Sequence, residues 1–111
     1  DTYHMNIEEK SIGDAIRLVG KRMRHFHTGE NNRTVPGRGH IDWDEVFGAL
    51  QDIGYKGNIV SEPFVLMGGE VGRSIKTWRP LIGDGSEAAL DEEARYLLRF
   101  ARGMLEKYPV A

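Results

Sequence analysis

The stretch HFHTGENNRTVPGRGHIDW, residues 25 to 43, places two histidines one residue apart and follows them with a long polar, turn-forming run. In an extended strand, side chains two residues apart share a face. His25 and His27 would therefore point the same way. His27, taken with Asp1 and Glu62, supplies one imidazole and two carboxylates. That is a hard, mixed oxygen–nitrogen set, suited to Mn²⁺, Mg²⁺ or Co²⁺ and also to Zn²⁺. Three protein ligands leave coordination positions open to a substrate, as a catalytic metal requires. Sequence separation alone fits equally a terminal acid at Asp1, a satisfied core histidine at His27 and a surface acid at Glu62. Glu62 resists the surface reading most, because it closes the apolar run Ile59-Val60-Ser61 just before Pro63. Arg33, in the loop after His27, can hold an oxygen-rich ligand by charge-assisted hydrogen bonds. Long loops in compact domains are often functional.

The elements that must position these groups follow from periodicity and capping. DTYHMN, residues 1 to 6, reads as the end of a strand. Ser11 is a helix N-cap with Asp14 three residues on. Ile12, Ala15, Ile16 and Val19 then recur at helical spacing, which predicts an amphipathic helix from 12 to about 22. His25-Phe26-His27 predicts a short strand. Asp42 is a second N-cap; Val46, Phe47, Leu50 and Ile53 form a second apolar stripe, with Gly54 after it. Gly57 to Glu62 predicts a third strand. Residues 64 to 90 read as irregular, with turns at Gly68-Gly69 and Gly83-Asp84-Gly85. Asp91 opens a last helix carrying Ala94, Leu97, Leu98, Ala101 and Leu105 on one face. Alternating strands and helices predict an α/β fold with parallel strands. The ionisable residues Asp1, His4, His27 and Glu62 all fall where a predicted strand ends. In a (β/α)8 barrel the active-site groups come from those ends. His27 would then sit nearer the mouth and His25 one layer deeper. His40 reads as a helix-entry residue, and Trp78 as a cover for the mouth or an interface.

Composition narrows the class. The chain has 111 residues, with 15 Lys and Arg against 17 Asp and Glu, so no basic face for nucleic acid is expected. No apolar run approaches the ~20 residues of a membrane span. The absence of cysteine excludes thiolate metal sites and fits a cytoplasmic enzyme.

The segments DTYHMNIEE, HFHTGENNR with VPGRGHIDW, SEPFV and GGEVGRSIKTWR resemble the D-tagatose/D-psicose (D-allulose) 3-epimerases, in the xylose isomerase-like TIM barrel superfamily. The resemblance runs through essentially the whole chain and matches the C-terminal third of a family member. It implies the C-terminal portion of a (β/α)8 barrel over residues 1 to 111, incomplete as a single chain, since a full barrel takes ~250 residues. It implies Asp1, His27 and Glu62 as three of four metal ligands, and Glu62 as one of two catalytic glutamates. It implies His4 and Arg33 as substrate-binding residues. The implied cofactor is a divalent metal, Mn²⁺ first, with Mg²⁺ or Co²⁺ as alternatives. The implied reaction is deprotonation and reprotonation of C3 of a small-molecule ketose, through a metal-stabilised enediolate. Pro80, after Trp78-Arg79, departs from the family's pattern, where an acidic residue is expected.

The fourth ligand, also the second catalytic glutamate, falls outside the matched residues. The chain alone is therefore expected to show little or no epimerase activity. Its expected partners are the missing N-terminal part of the barrel or further copies of itself, and neither nucleic acid nor membrane. Two rival readings are another sugar isomerase of the superfamily, such as a hydroxypyruvate isomerase, and a non-catalytic fragment that folds only on association.

Overall fold

The computed structural model describes residues 1–110. In chain order its elements are α1 (Thr2–Glu8), α2 (Ile12–Val19) with a 3₁₀ turn at Gly20–Arg22, β1 (His25–Thr28), α3 (Trp43–Asp52), β2 (Asn58–Ser61), α4 (Gly69–Ser74) and α5 (Glu87–Lys107). The two strands pair in parallel, with His25 opposite Asn58, Phe26 opposite Ile59, His27 opposite Val60 and Thr28 opposite Ser61. The expected α/β architecture with parallel strands is present. No described helix is long and apolar enough to cross a membrane.

The pleat divides β1 by face. Phe26 and Thr28 are buried, His25 is exposed and His27 is half-buried. Phe26 enters a core built from Ile12 and Ile16 of α2, Ile41, and Trp43, Val46, Phe47 and Leu50 of α3. Burial of these apolar faces is the main force holding the helices to the sheet. Ser11 and Asp42 cap α2 and α3 as expected, their side chains accepting from the amides of Asp14 and Glu45. Gly54, just past α3, takes φ +63, the left-handed turn that ends many helices. Lys107 and Tyr108, at the end of α5, both donate to Asp44 Oδ1 in the first turn of α3. Those bonds hold the Asp44 carboxyl below its ordinary range.

Three sequence expectations fail. Residues 1 to 6 are not the end of a strand. Asp1 instead caps α1, its Oδ1 accepting from Tyr3 N at 2.8 Å while its carbonyl accepts from Met5 N at 3.0 Å. A capping carboxylate satisfies amides that a strand would need a neighbour to satisfy. Residues 64 to 90 are not all irregular, because α4 forms between Gly68 and Ile75. The last helix begins at Glu87 rather than Asp91. Ser86 is its cap, and Asp84 Oδ1 holds both the amide and the hydroxyl of Ser86.

Candidate metal centre

The sheet register fixes which side chains can meet. His27 lies opposite Val60, so both belong to one face. Glu62, two residues past Val60, keeps that parity as the chain leaves β2. The face turned away from the α2–α3 core therefore carries His25, His27, Val60 and Glu62. Two side-chain bonds lock the strand ends. Ser61 Oγ donates to Thr28 O at 2.7 Å, and Thr28 Oγ1 donates to Val60 O at 3.4 Å.

Asp1 reaches the same place through Thr2. The buried Thr2 hydroxyl donates to Gly29 O at 2.7 Å and accepts from Gly29 N at 2.8 Å. These two hydrogen bonds pin the start of α1 to the residue after β1. Sequence reading overlooked Thr2, because nothing local links it to a glycine 27 residues away. Thr2→Val keeps the shape and leaves two buried backbone groups unpaired. It is expected to cost about 1–3 kcal/mol of stability, read as a shifted urea midpoint, with Thr2→Ser near wild type. A Val variant as stable as the parent would show that the pin contributes nothing.

The result is a compact donor set. His27 Nδ1 stands 3.7 Å from Asp1 Oδ2 and 3.4 Å from Glu62 Oε2. One donor atom from each of the three residues lies within 4.8 Å of the others. Asp1 uses its two oxygens separately, Oδ1 for the helix cap and Oδ2 toward His27. Among the described residues, no lysine or arginine forms an ion pair with Asp1 or Glu62. Two carboxylates converging on one imidazole nitrogen, without a basic side chain between them, suit a divalent cation. His25 lies edge-on to His27, ring centroids 4.8 Å apart, and offers no donor to the cluster.

Arg33 stands beside this set, held at both ends. Its backbone takes φ +65, its amide donates to Glu30 O at 3.0 Å, and its carbonyl accepts from Phe64 N at 2.9 Å. The guanidinium lies over the Tyr3 ring at 4.2 Å, with the Phe64 ring at 5.5 Å. Tyr3 is the residue whose amide Asp1 caps, and Phe64 follows Glu62 by two. Together with Lys76 and Trp78 they line a cleft of about 330 Å³ next to the donor cluster. Trp78, expected to cover the mouth or an interface, lines this cleft and is 80% exposed. His4, in the first turn of α1, is exposed and touches the Tyr3 ring edge-on. His40 is exposed, and its amide donates to Asn31 Oδ1 at 2.9 Å, as suits a residue leading into α3.

Residues 1–99 match the family model for the xylose isomerase-like TIM barrel. The chain is 58% identical over 106 residues to a D-psicose 3-epimerase of Ruminiclostridium cellulolyticum, covering 96% of this chain and 36% of that protein. It is 54% identical over 105 residues to a D-psicose 3-epimerase of Agrobacterium fabrum, covering 95% and 36%. A crystal structure of D-psicose 3-epimerase with D-tagatose from Clostridium cellulolyticum H10 superposes with a TM-score of 0.91 at 57% identity, over 95% of this chain and 36% of that one. A structure of L-ribulose 3-epimerase superposes with a TM-score of 0.83 at 34% identity, over 97% and 35%. The chain spans about a third of the length of the relatives it matches.

Proposed function

Because the chain belongs to the xylose isomerase-like TIM barrel family, we propose that it is the C-terminal portion of a metal-dependent ketose 3-epimerase. The observation that carries this reading is the convergence of Asp1, His27 and Glu62 on one side of the sheet, beside a polar cleft that holds Arg33. Likeness to D-psicose 3-epimerases supplies the substrate class.

Asp1, His27 and Glu62 would hold the cation, Mn²⁺ first and Mg²⁺ or Co²⁺ as alternatives. A bound divalent cation supplies positive charge beside the ketose oxygens, which lowers the cost of the negative charge that develops when C3 loses its proton. Glu62 exchanges that proton with C3. Its side chain is half exposed, open to a ligand, and fixed at the root by β2 and Pro63. Arg33 and His4 orient the sugar oxygens so that C3 lies near the Glu62 carboxylate. Inverting a stereocentre needs a second acid–base group on the opposite face. The resemblance assigns that role to a glutamate outside these residues. The exposed Val60, Leu98 and Leu105 are the surfaces on which the remaining barrel, or a further copy of the chain, would pack. We place the enzyme in the cytoplasm.

The test places residues 1–111 in the matching third of the Ruminiclostridium cellulolyticum D-psicose 3-epimerase, giving a complete barrel. Incorporation of solvent deuterium at C3 of D-fructose is followed by NMR with Mn²⁺ and with EDTA. Exchange with Mn²⁺, and its loss in EDTA, is the expected result. A folded barrel that binds Mn²⁺ yet leaves C3 unlabelled would overturn the reading.

A further inference from the structure

Glu30 is wholly buried, yet no lysine, arginine or histidine pairs with it among the described residues. Its charge is met by four neutral N–H donors. Oε1 accepts from Asn31 N at 3.2 Å and Ile41 N at 2.9 Å; Oε2 accepts from Gly37 N at 2.9 Å and the Trp43 indole N–H at 2.8 Å. Burying a carboxylate is costly, and an apolar side chain would fill the space at lower cost. The four bonds gather residues 31, 37, 41 and 43 around one point, so the carboxylate organises the whole loop between β1 and α3. Gly39 lies against it: a Cβ there would collide with the Glu30 side chain.

The same residue grips Arg33 through the main chain. Glu30 O accepts from Arg33 N at 3.0 Å, and Glu30 N donates to Thr34 O at 3.4 Å. These bonds close the turn in which Arg33 adopts its left-handed backbone, an uncommon conformation for a residue with a side chain. From there the Arg33 carbonyl reaches Phe64 N, and its guanidinium reaches the Tyr3 ring. We infer that Glu30 is a positioning residue: its buried carboxylate fixes the backbone of Arg33, and so the place of the guanidinium beside the metal-ligand cluster. The inference rests on the substrate-binding role proposed for Arg33.

Glu30→Gln tests it in the complete barrel. Whichever way the amide turns, its NH₂ faces two N–H groups that need an acceptor. The Michaelis constant for the ketose is expected to rise about tenfold with kcat changed less than about threefold, the pattern of lost substrate binding. Mn²⁺ affinity should stay within about twofold, because Glu30 touches no ligand of the cluster. Hydrogen exchange in peptides covering 31–36 and 64–66 should quicken together. In an Arg33→Ala background, Glu30→Gln should add less than about twofold to the Michaelis constant, since two residues acting as a unit are not additive. Trp43→Phe keeps the Glu30 charge and removes one of its four donors, so it should give a smaller rise in the Michaelis constant in the same direction if Glu30→Gln does not fold. A full penalty retained in the Arg33→Ala background overturns the inference, and so does Mn²⁺ affinity falling in step with ketose binding. If the wild-type barrel turns over no ketose, the epimerase reading fails. Hydrogen exchange then decides alone: a response at 64–66 keeps the Glu30–Arg33 link, and exchange changed only at 31–36 ends it.

Discussion

Glu62→Gln in the complete barrel is expected to lower C3 exchange by about 10²–10⁴-fold, the range that a positioned acid–base group contributes. Glutamine keeps the length and one acceptor oxygen of the side chain but cannot take a proton. Stability should change by less than about 0.5 kcal/mol, because the side chain packs into no core. The variant also weakens one of three candidate ligands, so a lower Mn²⁺ affinity would mimic a catalytic loss. Titrating Mn²⁺ to saturation separates the two. A ligand role alone predicts that exchange recovers once the site is full, and a proton-transfer role predicts that it does not. Recovery to within about tenfold of wild type would remove Glu62 from the proton transfer.

The path from sequence to site was uneven, for reasons that individual residues show. His27 and Glu62 follow local signals, an alternation and an apolar run, and the structure puts His27 one residue before the end of β1 and Glu62 one residue past β2. Asp42 and Ser11 were legible because a cap acts on amides two or three residues away. Asp1 joins the cluster by another route than the sequence suggested. As the cap of a helix, it depends on a Thr2–Gly29 contact that no local pattern encodes. Glu30 sits in a stretch that reads as a long polar loop with a functional arginine, and no local pattern marks the glutamate as buried. Its burial depends on donors at Gly37, Ile41 and Trp43, which converge only once the loop has folded over α3. The helix α4 lay hidden because glycines at 68, 69 and 72 suggest turns, although two of them merely start the helix and the third lies inside it. Local chemistry was thus readable, and contacts closed over long separations were not.

His27→Ala is expected to weaken Mn²⁺ binding at least ~100-fold, more than the 10–100-fold typical of losing a group that only supports a ligand. The reason is geometric. Nδ1 of His27 is the atom both carboxylates face, at 3.7 and 3.4 Å, so removing it leaves Asp1 and Glu62 without the group between them. Two converging carboxylates without that nitrogen repel each other and would spread apart on their partly exposed stems. His25→Ala is the matched control. It removes an imidazole from the same face and the same strand, but one that meets His27 only at the ring edge. Mn²⁺ affinity should then fall less than about tenfold, because His25 offers no donor atom to the cluster and meets His27 only through ring packing. Calorimetric titration of Mn²⁺ into the wild type and both variants reads the difference. Equal losses in the two variants would mean that the strand face matters only as a whole. A His27→Ala barrel that keeps Mn²⁺ within about tenfold of wild type would remove Nδ1 from the ligand set and, with it, the ground for placing the metal between Asp1 and Glu62.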